Sequence, residues 1–196
     1  IDAISAGGRA APDAPLRLVQ TLEFYPEEGK YHMDGHAPCV VRLTSAETKK
    51  YGGRCPKCKM IVTVGVLSRI EALADRPEGG KPSRVVPYQS LVPLAEIISD
   101  AFDLGKATKS VQIEYEKLVA DGRSEFAILR TLAYQDMAVV TTPEIIEGIR
   151  RVREGKLHIE PGYDGVYGTV KIFLPGEPPP LAGPRTMRWR ARKKQK

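Results

Sequence analysis

The spacing of apolar residues along this chain changes period twice. In "LVQTLEF" (residues 18–24) apolar residues recur among polar ones over a short stretch, which predicts a strand. The run "KMIVTVGVL" (residues 59–67) is rich in β-branched residues and predicts a second extended segment. From Pro93 onward the period becomes helical. Leu94, Ile97, Ile98, Ala101 and Phe102 form one stripe, with Pro93 suited to a first helical position and Gly105 as a stop. Thr108 can cap a second helix carrying Val111, Tyr115, Leu118 and Val119 inward, ended by Gly122. Ser124 can cap a short third with Ile128, Leu129 and Leu132, and Thr142–Pro143 opens a fourth with Ile145, Ile146, Ile149 and Val152, up to Gly155. The segment "KLHIEPGYDGVYGTVKIFL" then alternates as two strands about Pro161–Gly162 and Asp164–Gly165 turns. Beyond Pro175 all periodicity is lost.

This pattern predicts an α+β chain: a small zinc-ribbon-like module, then a mainly helical domain with a terminal β-hairpin, then a disordered basic tail. The boundaries expected are residues 1–17 as the end of a truncated upstream domain, 18–75 as the zinc-binding module and 76–90 as linker. Residues 91–174 would form the helical domain and 175–196 a Pro-rich spacer with its tail. The opening "IDAISAGG" reads as the last turns of a helix ending at Gly7, which suggests a fragment of a longer protein. "RPEGGKPSRVVPY" (residues 76–88) has the Pro and Gly content of a connector.

The chemistry is concentrated in "GHAPCVVRLTSAETKKYGGRCPKCK" (residues 35–59), which holds all three cysteines. His36 and Cys39 are separated by two residues, as are Cys55 and Cys58, and a loop lies between the pairs. Two such pairs supply the four ligands of a tetrahedral structural zinc site, and they account for the cysteines better than three unrelated buried thiols. His32 is the rival for the fourth position, but His36 makes the symmetric pair with Cys39. Three thiolates and one imidazole close the coordination sphere, so such a zinc is a staple for the fold and leaves no position for a substrate. The odd cysteine count and the lack of a secretory signal argue for a reducing cytoplasm. Glu23, Glu27, Glu28, His32 and Asp34 gather in the preceding loop as a second, weaker candidate cluster.

The 196 residues are 42% hydrophobic and 28% charged, the composition of a globular protein. The formal charge is +6, and Arg185, Arg188, Arg190, Arg192, Lys193, Lys194 and Lys196 supply more than all of it, leaving the rest at −1. With Trp189 among them, these residues can hold phosphates and stack on a base. Tyr163, Asp164 and Tyr167, placed by the turn pattern at an exposed hairpin tip, are further candidate nucleic-acid contacts by stacking or hydrogen bonding, and Tyr25 and Tyr31 are candidate stackers. No phosphate-binding loop, G-x-S-x-G elbow or H-E-x-x-H helix is present in the sequence.

The blocks "TLEFYPEEGKYHMDGHAPC", "GGRCPKC", "TVGVLSRIEALADRPEG", "VPYQSLVPLAEII" and "IEPGYDGVYG", in this order, closely resemble the C-terminal half of the endonuclease Q family. The resemblance covers roughly residues 20–174. It implies a parent enzyme in which a PHP-type (polymerase and histidinol phosphatase) domain holds catalytic divalent metals and cuts DNA 5′ of deaminated bases or abasic sites. The catalytic His, Asp and Glu motifs of that domain lie upstream of the region matched here. What the resemblance carries onto this chain is therefore the zinc knuckle (His36, Cys39, Cys55, Cys58) and a DNA-facing helical part, with no catalytic residue. Lys59 departs from the glycine that many zinc knuckles place after the last cysteine, and the tail has no counterpart. The alternative is a non-enzymatic, zinc-stapled adaptor that binds a protein partner.

Overall fold

The helical stripes converge on one core. The computed structural model describes residues 18–77, 79–80, 85–174 and 176–177. Helices α3 (Leu94–Phe102), α4 (Lys109–Val119), α5 (Glu125–Arg130), α6 (Tyr134–Met137) and α7 (Pro143–Glu154) enclose Leu94, Ile97, Ile98, Val111, Leu118, Ile128, Met137, Ile145 and Ile149, all buried. Helix α7 can approach α3 because residue 148 is glycine; a Cβ there would lie 2.8 Å from Ile97 Cγ2. Ser124 caps α5 as expected, accepting from the amide of Ala127. Thr108 and Thr142 stand at N-cap positions, but their hydroxyls are buried without a partner among the described residues. The start of α3 is capped from a distance: the Glu125 carboxylate accepts from the Leu94 amide and the Tyr115 hydroxyl, each at 2.8 Å. Arg153 donates to the carbonyls of Ile128, Leu129 and Leu132, closing the C-terminal end of α5.

Helix α6 was not expected from sequence, and the C-terminal stop of α3 is Asp103 at φ 50°, ahead of Gly105. A larger departure concerns residues 76–90. Their last three form strand β4 (Tyr88–Ser90), which pairs in parallel with β1 (Thr21–Glu23). Leu22 and Tyr25 pack on the helical core, and Arg130 donates to Gln20 and Gln89, so this ribbon is tied to the helices. Tyr-Gln-Ser carries no alternating apolar pattern, which is why β4 is silent in the sequence.

The cysteine region is built on the antiparallel pair β2 (Asp34–His36) and β3 (Val41–Leu43), followed by α1 (Ser45–Lys50). Thr44 and Glu47 form a reciprocal capping box at the start of α1. Its own core is small: Val41, Leu43, Cys55 and Val62. A core of this size does not order such a module without a further constraint.

The strand expected over residues 59–67 is replaced by isolated bridges at Ile61 and Thr63 and then by helix α2 (Val66–Leu73). The cause is tertiary. Buried Asp34 accepts from the Gly65 amide at 2.6 Å, and the Val66 and Leu67 amides reach the carbonyls of Tyr31 and His32. Gly65 is required there, since a Cβ would meet the Met33 carbonyl carbon at 2.3 Å. These contacts override the β-propensity of the Val-rich run. Val66, Ile70 and Leu73 of α2 remain 56–65% exposed.

Strands β5 (His158–Glu160) and β6 (Thr169–Lys171) pair antiparallel as the predicted hairpin. The Asp100 carboxylate anchors it to α3, accepting from the amides of Ile172 and Phe173 and from Lys171 Nζ. The whole is α+β, as the sequence predicted. Among the described residues, no helix is long and apolar enough to cross a membrane.

Candidate metal centre

Two short turns of the same construction meet at the cysteines. In the first, β2 ends at His36, a 3-10 turn spans Ala37–Cys39, and Val40 follows at φ 52° with its amide bonded to the Ala37 carbonyl. In the second, Cys55 to Cys58 turn and Lys59 follows at φ 66° with its amide bonded to the Cys55 carbonyl. A left-handed residue directly after each ligand pair lets the chain leave while both side chains stay on one side. Neither position is glycine, so both carry backbone strain, more so at β-branched Val40.

The ligand atoms of His36, Cys39, Cys55 and Cys58 all lie within 4.8 Å of one another, and Cys58 Sγ is 3.5 Å from His36 Nδ1. Zinc bond lengths of about 2.3 Å to sulfur and 2.0–2.1 Å to nitrogen place tetrahedral ligands about 3.5–3.8 Å apart. The cluster fits a metal ion of that size, and none of the three cysteines is in a disulfide. His32 is not part of it, so the symmetric His36 pairing is the one the fold assembles. Among the described residues no second group of metal-ligating side chains comes together. Of the acidic loop expected as a weaker candidate, Asp34 is consumed as the cap at Gly65.

The thiols sense one another. Burial raises the Cys55 pKa, but hydrogen bonds from the backbone amides of Cys58 and Lys57 and from the neighbouring thiols outweigh it, bringing Cys55 down to about 7. Cys39 is pushed up to about 11, first by its hydrogen bond to Cys58 and then by burial. Crowded sulfurs that cannot all ionise are the donor set a divalent cation resolves, because it stabilises every thiolate at once. Lys57 Nζ binds the Cys39 carbonyl at 2.9 Å and Arg54 the Lys59 carbonyl at 3.1 Å, placing cations beside the three cysteines.

The hairpin loop joins this centre. Asp164 accepts from the Ala37 amide at 2.6 Å and from the Thr63 hydroxyl. Its carboxyl is held below its ordinary pKa, chiefly by Thr63 and then by Ala37. Nothing in the turn-like "PGYDG" distinguished this role from that of an ordinary exposed turn. The exposed tip predicted for Tyr163 is corrected: this ring is only 9% exposed, covers Gly35, and lies beneath the Arg42 guanidinium at 5.7 Å. Tyr163 is a packing residue that seats the hairpin on β2. Tyr167 is 69% exposed, as the tip reading required. Tyr25 is partly buried against the helical core, while Tyr31 is exposed. Arg185, Arg188, Trp189, Arg190, Arg192, Lys193, Lys194 and Lys196 lie outside the described residues.

Residues 93–156, which carry α3 to α7, match the family model described as the MJ0043 C-terminal domain. Protein MJ0043 of Methanocaldococcus jannaschii is 36% identical over 159 residues, covering 80% of this chain and 20% of that protein. YqxK of Bacillus subtilis is 31% identical over 156 residues, covering 79% and 36%. The lesion-specific endonuclease PfuEndoQ from Pyrococcus furiosus superposes with a TM-score of 0.71 at 31% identity, covering 81% of this chain and 39% of that one. An endonuclease Q in complex with a 27-mer duplex substrate bearing an abasic lesion gives 0.71 at 30% identity, covering 90% and 42%. The chain thus spans between a fifth and about two fifths of the length of the proteins it matches. In fold and in sequence it is similar to a segment of endonuclease Q.

Proposed function

We propose that this chain is the zinc-binding, DNA-contacting part of a cytoplasmic DNA repair endonuclease that incises DNA 5′ of deaminated bases or at abasic sites. Its likeness to an endonuclease Q bound to an abasic duplex is the observation that carries this reading. His36, Cys39, Cys55 and Cys58 would hold one zinc, which supplies a cross-link between two turns and no chemistry on the substrate. This chain's residues then do mechanical work. Asp164 and Tyr163 couple the metal-bound turn to the hairpin, and Asp100 couples the hairpin to the helices. Incision belongs to a PHP-type domain of the parent protein with its own divalent metals, so this chain alone binds DNA without cutting it. The basic tail adds affinity through phosphate contacts.

The test is a salt titration with abasic, uracil-containing and undamaged duplexes. The reading expects lesion preference to survive as the salt-sensitive background falls away, and no incision with Mg²⁺ or Mn²⁺. Equal affinity for all three duplexes would overturn it. One observation favours a second reading: the apolar stripe Val66, Ile70 and Leu73 on α2 is the kind of surface another protein covers, as an adaptor requires. In that case the chain would bind a protein partner and show no preference among DNAs.

A further inference from the structure

The three thiols of the metal centre differ in what can reach them. Cys58 is exposed, Cys39 is half-buried, and Cys55 is buried with Val41, Leu43 and Val62 in the small core of the module. Cys58 and Cys39 come from different turns, and their sulfurs are hydrogen-bonded to each other. All the ligand atoms lie within 4.8 Å of one another, so a short side-chain movement brings two sulfurs to the bonding distance of about 2.05 Å. Cys55 is the poorer partner for such a bond. Its sulfur is held by the backbone amides of Cys58 and Lys57, and leaving them would also empty the core position that it fills. The exposed thiol of one turn thus touches the half-buried thiol of the other, which is how a peroxide-accessible cysteine and its resolving partner are arranged.

We propose that Cys58 is an oxidation site for hydroperoxides and that Cys39 resolves it, so that a Cys39–Cys58 disulfide replaces the metal as the staple between the two turns. The inference rests on the zinc-binding reading above. In the first step the Cys58 thiolate attacks the peroxide. An S–O bond forms as the O–O bond breaks, and the departing hydroxide takes a proton to become water. Cys58 then carries a sulfenic acid. The Cys39 thiolate attacks that sulfur, the S–S bond forms, and the S–O bond breaks with loss of a second hydroxide, again protonated to water. The two sulfurs together lose two electrons, and one peroxide is reduced to two waters. With two of its four ligands in a disulfide, the site no longer holds a divalent ion. The module keeps its fold through the exchange. The new cross-link joins the same two turns, and Asp164 still holds the Ala37 amide beside them. Small thiols reverse the step by exchange and restore the ligand set.

The experiment treats the full chain, its metal content measured beforehand, with hydrogen peroxide in the presence of a zinc-binding dye. Remaining thiols are then alkylated and the peptides mapped by mass spectrometry. Zinc should be lost in step with two of the three thiols, leaving Cys55 alkylated and an intramolecular Cys39–Cys58 link. Dithiothreitol with added zinc should restore both thiols and metal. The oxidised chain should melt above the same chain stripped of metal and kept reduced, because the cross-link restricts the unfolded chain. Cys58→His, which keeps a metal ligand but removes the thiol, should retain its zinc under the same peroxide. A Cys55–Cys58 link, a disulfide between two chains, or an overoxidised Cys58 beside a free Cys39 would overturn the proposal. So would full retention of the thiols at a peroxide concentration that oxidises free glutathione. The wild-type peptide map decides the matter even where Cys58→His does not fold. If the purified chain contains no zinc, the zinc reading fails by itself, and the peptide map of that sample still tells whether Cys39 and Cys58 pair.

Discussion

The Asp164 carboxylate accepts a hydrogen bond from the backbone amide of Ala37 at 2.6 Å, joining positions 127 residues apart. Ala37 follows His36 of the candidate metal site directly, so the hairpin near the end of the described chain is fastened to the first turn of that site near its beginning. The same carboxylate holds the Thr63 hydroxyl. One side chain thus ties together three segments that meet at the metal centre.

Asp164→Ala should therefore destabilise the chain by about 1–3 kcal/mol, since the Ala37 amide and the Thr63 hydroxyl both lose their acceptor in a partly buried site. Urea unfolding of the metal-loaded protein measures this. Asp164→Asn should lose less, because its amide oxygen can still accept from Ala37. An Asp164→Ala variant as stable as the wild type would show that the hairpin's other anchors, Asp100 and Tyr163 among them, seat it without Asp164.

The strained residues after each ligand pair give a prediction of opposite sign. Val40 is 76% exposed at φ 52°, so it contributes strain and little packing. Val40→Gly should stabilise the metal-loaded chain by about 1 kcal/mol, the left-handed penalty less the added freedom of glycine in the unfolded chain. Thermal unfolding should shift upward; a downward shift would mean that the strain at Val40 is smaller than the freedom glycine adds to the unfolded chain.

These positions also mark what the sequence could express. The ligand pairs and the stripes of α3, α4, α5 and α7 are local patterns, complete within one or two turns, and they were legible. Helix α2 was not, because its start depends on Asp34 reaching Gly65 across 31 residues, against the β-propensity of its own segment. Strand β4 was missed because its pairing with β1 carries no apolar alternation. Tyr163 was misplaced because Pro-Gly and Asp-Gly mark a turn without saying what lies over it. In each case the deciding contact is long-range.

A pH dependence follows from Glu177. Its carboxyl is brought down to about 2, chiefly by its hydrogen bond to Arg151 and then by the Leu174 amide. A lowered folded pKa gives a contribution that is complete above the unfolded value of about 4.3 and is lost as pH falls through the folded value. The stability difference between wild type and Glu177→Gln should be constant above about pH 5 and shrink progressively between about pH 4 and 2. A difference that does not change over that interval would show that Glu177 is as free in the folded chain as in the unfolded one.

The tail prediction comes from charge alone. Deleting residues 185–196 removes seven positive charges and leaves a net −1. If most of them neutralise phosphates, the slope of log affinity against log salt should flatten by roughly four to six units, with lesion preference retained. Trp189→Ala should weaken single-strand binding more than duplex binding, since only unstacked bases offer a free face. Identical slopes for the full and truncated chains would confine DNA contact to the folded body.

The zinc module proposed for this chain depends on the four side chains that the two turns bring together. X-ray absorption at the zinc edge on the purified protein, with elemental analysis of the same sample, reads that arrangement directly. One zinc per chain is expected, with three sulfurs at about 2.3 Å and one nitrogen at about 2.0–2.1 Å, and with Cys55→Ser losing both the metal and the fold of the module. A well-folded protein without metal, or a zinc bound by another ligand set, would contradict it.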